Sequence, residues 1–170
     1  MIIKDLLLKE FDQETASTRK ILAVIPAGHS DWKPHEKSMT LGRLAGHTAE
    51  IPGWGVTVLE MDTFTLNMAD YKPFVPQTAE EAVKRFNEDA AKFRAVLAAE
   101  TEEHLATKWE MIYGGKVSVS SPRVEVLRNF LYSHLVHHRA QLGVYLRLLN
   151  VPIPGVYGPS ADDKQMMSAA

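Results

Sequence analysis

The stretch "SPRVEVLRNFLYSHLVHHRAQLGVYLRLLN", residues 121–150, is the longest segment of the chain with the apolar periodicity of an α-helix. Ser121 stands at a suitable N-cap position, and Pro122 follows at the first helical position, where its missing N–H costs no hydrogen bond. Pro152 stops the pattern at its other end. The sequence therefore predicts one long helix over this range, and this helix carries three closely spaced histidines.

Apolar residues at steps of three and four predict further amphipathic helices at 2–25, 41–62 and 78–100. Thr40 and Thr78 precede the second and third of these segments as N-caps, because a threonine hydroxyl accepts a hydrogen bond from the first turn. Pro52 lies inside the second segment and lacks a backbone donor, so we expect the helix to continue with a bend there.

The connections between these segments favour an all-α protein. Residues 64–77 are predicted to be a loop because they contain two prolines. Residues 108–120 alternate around Gly114 and Gly115, which predicts a minor hairpin or an extended excursion before the last helix. Four long helices joined by loops indicate a four-helix bundle, and the length favours a single domain over residues 1–170.

The composition excludes several classes of function. The 19 lysines and arginines are balanced by 21 acidic residues, so no basic excess favours nucleic acid as a partner. No apolar run approaches the roughly 20 residues that span a bilayer, and the start "MIIKDLLLKEF" lacks the separate basic and apolar regions of a secretory signal. We therefore expect a cytoplasmic protein with no membrane partner. The absence of cysteine leaves His, Asp and Glu as the available metal ligands.

The histidines of the last predicted helix point to a metal site. Each helical residue advances about 100°, so His134 and His138 share a face, whereas His137 lies at its edge. His47 falls on the apolar face of the second predicted helix and supplies a third candidate ligand. Each of these histidines also has a structural interpretation, as a core residue that binds a carbonyl. One divalent ion would satisfy all three rings; zinc or nickel is expected, with iron or manganese as alternatives.

Other polar and aromatic residues are weaker candidates. Glu50, one turn beyond His47, is predicted as a general base or as a carboxylate that supports a ligand; the alternative is a solvated surface charge. Arg139 either pairs with Glu50 or faces solvent. Trp54 and Tyr145 line a substrate cavity or belong to the core. Isolated histidines are interpreted as surface residues: His29, His35 and His104.

Three segments together resemble the DinB-like (YfiT-like) family of metalloenzymes over most of the chain. They are "LGRLAGHTAEIPGW", "LRNFLYSHLVHHRAQLGVYLR" and the closing "VPIPGVYGPSAD". The most specific element is the run H-x-x-x-H-R-x-Q that begins at His134 and ends at Gln141. The resemblance implies an up-down-down-up four-helix bundle, a divalent metal bound by His47, His134 and His138, and a homodimer.

The resemblance also defines the functions to be distinguished. Members of this family include S-transferases that use low-molecular-weight thiols and metal-dependent hydrolases, and both act on small molecules. A thiol-dependent S-transferase is our first choice, and because the chain has no cysteine, the thiol would have to be brought in as a substrate. The alternatives are a hydrolase and a non-catalytic bundle that holds a structural metal or sequesters a ligand. A vacant coordination position favours catalysis, and a fourth protein ligand such as Glu50 favours a structural metal.

Overall fold

Helices make up most of the chain in a computed structural model that describes residues 2–163. The helices are α1 (Ile3–Leu22), α2 (Leu41–Glu60), α3 (Ala79–Ala99), α4 (Glu102–Leu105), α5 (Arg123–Leu127) and α6 (His134–Leu148), and the strands are β1 (Thr63–Leu66), β2 (Lys108–Tyr113) and β3 (Lys116–Pro122). A π-helical segment, Arg128–Ser133, joins α5 to α6. None of the helices between residues 2 and 163 has the length and apolarity to cross a bilayer. The predicted domain ends, residues 1 and 170, lie outside the described range.

The long helices pack around an aromatic core. α3 packs against both α1 and α2, and α6 packs against the same two helices from another side. The ring of Phe11 meets the ring of Phe93 edge-on at 4.8 Å and lies 6.3 Å from Tyr132. Tyr132 donates its hydroxyl proton to the carbonyl of Leu7 over 2.8 Å, so the buried phenol is satisfied. The apolar stripes of the sequence are therefore the faces that meet in this core.

The predicted starts of the second and third helices are confirmed. Thr40 accepts a hydrogen bond from the backbone N–H of Arg43, and Thr78 accepts one from that of Glu81. α2 continues from Leu41 to Glu60 through Pro52, as predicted, and the bend at this proline stays a prediction. The flanking turns and the packing of α2 on α3 hold the helix together despite the missing donor.

A small sheet corrects the all-α prediction. β2 and β3 form the predicted hairpin around Gly114 and Gly115, whose φ angles of 56° and 75° suit glycine. β1, however, lies where a loop was predicted, and it pairs with β2 in parallel. Thr63 lies opposite Glu110 in this pairing, a partner distant in sequence, so the local pattern of residues 64–77 carried no sign of it.

The last helix begins later and is less regular than predicted. Ser121 lies in β3 instead of capping the helix, which begins at Arg123. The Arg123 side chain is buried and binds the carboxylate of Asp62 as well as the carbonyl oxygens of Met61 and Lys108. These contacts fasten the start of the helix to the ends of α2 and β2, and this long-range anchor takes precedence over local capping.

Two helical glycines give a matched test of the packing. A methyl group added at Gly55 would overlap side-chain atoms of Leu131 and Phe93, whereas one added at Gly143 meets no atom within 4 Å. We expect Gly55→Ala to destabilise the protein by about 1–3 kcal/mol because the core is overpacked. Gly143→Ala should stabilise it by about 0.5–1 kcal/mol, since alanine is the better helix former. Urea unfolding of both variants checks this, and a stabilised Gly55→Ala protein would contradict the close contact of α2 with α3.

Candidate metal centre

Three imidazole rings from two helices converge in the interior. α2 contributes His47, and α6 contributes His134 and His138. One nitrogen atom from each ring lies within 4.8 Å of the others, and the Nε2 atoms of His47 and His134 are 3.1 Å apart. Nitrogen ligands about 2.0–2.1 Å from one ion are themselves roughly 3.3 Å apart in a tetrahedral site. The distance between His47 and His134 is close to this value, and the cluster could therefore hold a metal ion.

Hydrogen bonds orient the two rings on α6. His138 Nδ1 lies 2.7 Å from Oε1 of Gln141, and His134 Nδ1 lies 3.3 Å from the carbonyl oxygen of Phe130. Because these oxygens only accept, the ring protons lie on Nδ1, and both Nε2 atoms keep a lone pair for a cation. A metal-binding histidine typically donates the N–H of its other ring nitrogen to an oxygen acceptor in this way. Gln141 is therefore a supporting residue for His138, within the run that carried the family resemblance.

The π-helical segment supplies the acceptor for His134. The backbone N–H of His134 bonds to the carbonyl of Leu131, whereas in a regular α-helix it would bond to that of Phe130. The Phe130 carbonyl oxygen, which has two lone pairs, accepts the proton of the His134 ring. π-helical turns occur frequently at functional sites, and this one both orients His134 and sets the rotation of α6.

His47 is the ring that lacks a partner. Its Nδ1 atom is buried and has no hydrogen-bond partner among the described residues, while its Nε2 atom contacts only the Nε2 atom of His134. The close approach of the two Nε2 atoms is an arrangement that a cation bound to both lone pairs would stabilise, whereas the buried Nδ1 atom of His47 would still lack a partner. The donor set of three imidazoles thus fits zinc, nickel, iron or copper.

The environment keeps the three imidazoles neutral over a wide range of pH. Burial, together with smaller contributions from the neighbouring His138, His134 and Arg43, lowers the pKa of His47 to about 3. The pKa of His138 is lowered to about 4, mainly by burial, whose effect outweighs the opposing effect of the hydrogen bond to Gln141. The pKa of His134 is also lowered, mainly by burial. Because only neutral imidazole binds a metal, protons compete weakly for these rings.

An apolar cavity of about 170 Å³ lies beside the histidines. His47 and His134 form part of its wall, and the rest comes from α2, the sheet and the π-helical segment: Trp54, Thr57, Val58, Phe64, Leu66, Trp109, Met111 and Phe130. Trp54 therefore lies at a cavity, which was one of the two positions considered for it. The cavity-lining residues of the sheet were not predicted, because residues 64–77 were predicted to be a loop and residues 108–120 only a minor hairpin or an extended excursion.

Glu50 lies apart from the histidine cluster. Its side chain is 8% exposed, which excludes the solvated surface charge. Tyr71 donates its hydroxyl proton to Glu50 Oε2 over 3.1 Å, and the guanidinium groups of Arg43 and Arg85 lie 4.0 and 3.9 Å from the carboxylate. Within residues 2–163, the group of potential ligands at this centre contains the three histidines and no carboxylate.

Other candidates take different places. Arg139 neither pairs with Glu50 nor faces solvent; it is buried and bonds to Glu14 and Tyr157. Tyr145 donates to the Met39 carbonyl and does not line the apolar cavity. Among the remaining histidines, the surface prediction is confirmed for His29 and His35, which are exposed; His137, predicted at the edge of the histidine face, is also exposed. His104 differs, because it is partly buried and pairs with Glu100, four residues earlier on the chain.

Comparisons with known proteins agree with this architecture. YrdA of Bacillus subtilis (strain 168), described as an uncharacterized protein, is 27% identical over 160 residues, which cover 94% of this chain and 90% of YrdA. A DinB-like protein of Bacillus cereus ATCC 10987 superposes with a TM-score of 0.67 at 26% identity, covering 88% of this chain and 95% of that one. YjoA, a DinB-like protein of Bacillus subtilis, has the same fold, with a TM-score of 0.68 at 19% identity over 89% and 96% of the two chains.

The family is decided by the match to the whole chain. The sequence model of the DinB family covers residues 1–168, which include all three clustered histidines and the closing loop. The chain therefore belongs to the DinB family.

Proposed function

We propose that this protein binds a divalent metal ion through His47, His134 and His138 and uses it as a thiol-dependent S-transferase on a small molecule. The convergence of three neutral imidazoles beside a cavity carries the proposal. Zinc or nickel is the expected ion, and iron or manganese is the alternative. In this proposal the long helices form a four-helix bundle in the up-down-down-up order. The homodimer implied by the family stays a prediction.

The geometry favours a catalytic ion over a structural one. Structural zinc sites take four protein ligands, whereas catalytic sites take three and keep a position for water or substrate. Glu50 is not among the groups whose ligand atoms converge with the three histidines in residues 2–163, which argues against it as a fourth ligand. The apolar cavity reaches His47 and His134, so a substrate bound in it would lie next to the proposed metal ligands.

The lining of the cavity favours a thiol over water as the nucleophile. A divalent ion lowers the pKa of a thiol that it binds, so that the thiolate predominates near neutral pH. The cavity walls, formed largely by Trp54, Phe64 and Trp109 with other apolar side chains, exclude water and hold an apolar electrophile. The sulfur then bonds to the electrophilic carbon, the leaving group departs with the bonding electron pair, and the thiol proton passes to solvent.

The role of Glu50 as a general base stays a prediction. Its carboxylate lines a second cavity next to the apolar one and is held there by Arg43, Tyr71 and Arg85. It would take up a proton only from a substrate group that enters this second cavity.

A panel of small thiols tests the transferase proposal. We expect metal-loaded protein to couple at least one thiol to a fluorogenic alkyl halide about tenfold or more faster than the His138→Ala variant, because that variant cannot raise the thiolate fraction. Ester hydrolysis is measured in parallel. Hydrolysis without thiol coupling would establish the hydrolase instead, and a metal-loaded protein with neither activity would support the non-catalytic bundle.

A further inference from the structure

A second cavity, of about 310 Å³, lies next to the apolar one and has a different chemical character. Trp54, Thr57 and Phe64 line both cavities, so these residues mark the boundary where the two meet. The rest of the lining of the second cavity is mainly polar: Glu50, Gly53, Tyr71 and Arg85. We call it the polar cavity.

One face of α2 serves both cavities. His47, Glu50, Trp54 and Thr57 follow one another at steps of three and four residues and therefore share a side of the helix. His47 faces the apolar cavity, and Glu50 lines the polar cavity one turn later. A ligand that lies along this face would have one end near the histidines and the other near Glu50.

The polar cavity presents one negative and one positive group to a ligand. Glu50 Oε1 and Arg85 Nη2 are 3.9 Å apart, which is too far for a hydrogen bond between them. The Tyr71 hydroxyl is already engaged, because it donates to Glu50 and accepts from Arg43. The carboxylate and the guanidinium therefore keep hydrogen-bonding capacity for a ligand.

Arg85 is held in position before a ligand arrives. Its Nε donates to Asp89 over 2.7 Å, and its guanidinium lies over the ring of Phe74 at 5.7 Å. Gly53 keeps this region open, since a methyl group there would lie 3.1 Å from the Asp89 carboxylate. An oriented guanidinium with free Nη groups is suited to a carboxylate.

We infer that the substrate carries a dipolar head group, an ammonium and a carboxylate on one carbon, that binds between Glu50 and Arg85 while its apolar part extends towards the histidines. A singly charged head would face either Glu50 or Arg85 as a like charge, whereas a dipolar head pairs with both. This inference rests on the proposed function because it names the substrate class of the same site. It also assigns Glu50 a binding role instead of proton transfer.

Three probes with one phenyl group test the head-group preference: phenylalanine, 3-phenylpropionate and 2-phenylethylamine. Binding to the full chain is measured by calorimetry in a chelator, so that no probe binds through a metal. Phenylalanine should bind about tenfold more tightly than either singly charged probe, since hydrogen bonds to charged groups are strong. An equal or tighter affinity for 3-phenylpropionate or 2-phenylethylamine would overturn the inference, as would the absence of phenylalanine binding at millimolar concentration.

Charge-removing variants identify the two partners. Glu50→Gln should remove the advantage of phenylalanine over 3-phenylpropionate, and Arg85→Gln should remove its advantage over 2-phenylethylamine. Arg85 is 40% exposed in its side chain, so this variant provides a test even if Glu50→Gln fails to fold. The control is Arg94→Gln, which removes a guanidinium that pairs with Asp12 outside both cavities. A preference that survives both cavity substitutions would contradict the assignment.

The preference for a dipolar head group can be tested independently of metal binding. His138→Ala, which should lose the metal, is expected to keep the preference for phenylalanine, because His138 does not line the polar cavity. A loss of the preference in this variant would overturn the two-part site. Conversely, failure of the probes to bind would leave the measured metal content, and with it the proposed function, intact.

Discussion

Alanine at His134 or His138 is expected to abolish stoichiometric binding of a divalent metal, whereas His137→Ala should leave about one ion per chain in place. The first two rings turn their Nε2 lone pairs towards the cluster, and their Nδ1 protons are committed to Phe130 and Gln141. His137 is exposed and lies outside the group of converging nitrogen atoms. His47→Ala should match the two ligand variants, because it removes the only ring that comes from α2.

Elemental analysis after dialysis against zinc or nickel measures this difference. The His137→Ala variant is the matched control, since it removes one imidazole from the same helix without touching the cluster. A further variant, Gln141→Ala, should weaken binding by about 10–100-fold without abolishing it, as is usual when the partner of a ligand is removed. Equal metal losses from His137→Ala and His138→Ala would show that the cluster does not bind the ion.

The substitution Arg139→Ala is expected to lower the free energy of unfolding by about 3–5 kcal/mol, more than the other variants proposed here. It leaves the buried carboxylate of Glu14 without its cationic partner. Arg139 is 3% exposed and lies 2.7 Å from the Glu14 carboxylate, which is itself 6% exposed. The same guanidinium bonds to the Glu14 carbonyl and to the Tyr157 hydroxyl, which joins α1, α6 and the closing loop. The melting temperature should fall by roughly 10 °C.

Thermal unfolding of matched variants distinguishes a buried ion pair from a surface one. Arg94→Ala breaks a hydrogen-bonded pair with Asp12 in which both side chains are about half exposed, so the melting temperature should hardly change. Replacing both Arg139 and Glu14 by apolar residues of similar volume should recover part of the lost stability, because no buried charge is then unpaired. If Arg139→Ala is as stable as Arg94→Ala, the buried pair does not hold the helices together.

Local features of the helices were predictable because they depend on neighbours in the chain. The caps at Thr40 and Thr78 need only a hydroxyl and the next turn of backbone, and both form as expected. The shared face of His134 and His138 follows from the helical rotation of about 100° per residue, which no tertiary contact has to supply. The hairpin at Gly114 was likewise visible because its turn requires positive φ angles.

Features that depend on distant partners were not predictable in this way. β1 owes its conformation to β2, and the start of α5 owes its position to the contact of Arg123 with Asp62. Glu50 looked like a surface charge because the groups that enclose it come from other segments, chiefly Tyr71 and Arg85. The π-helical segment also has no local signature, since its residues are compatible with an ordinary helix.

The sequence by itself determined which residues could act as ligands, since it contains no cysteine and places two histidines one turn apart. Only the tertiary structure decided that His47 meets them, because packing of α2 on α6 brings its Nε2 atom within 3.1 Å of His134. This difference between what the sequence and the tertiary structure determine has a physical reason. Backbone geometry and hydrogen bonds within a helix set the direction of each ring, whereas the distance between rings on different helices depends on how the apolar faces pack.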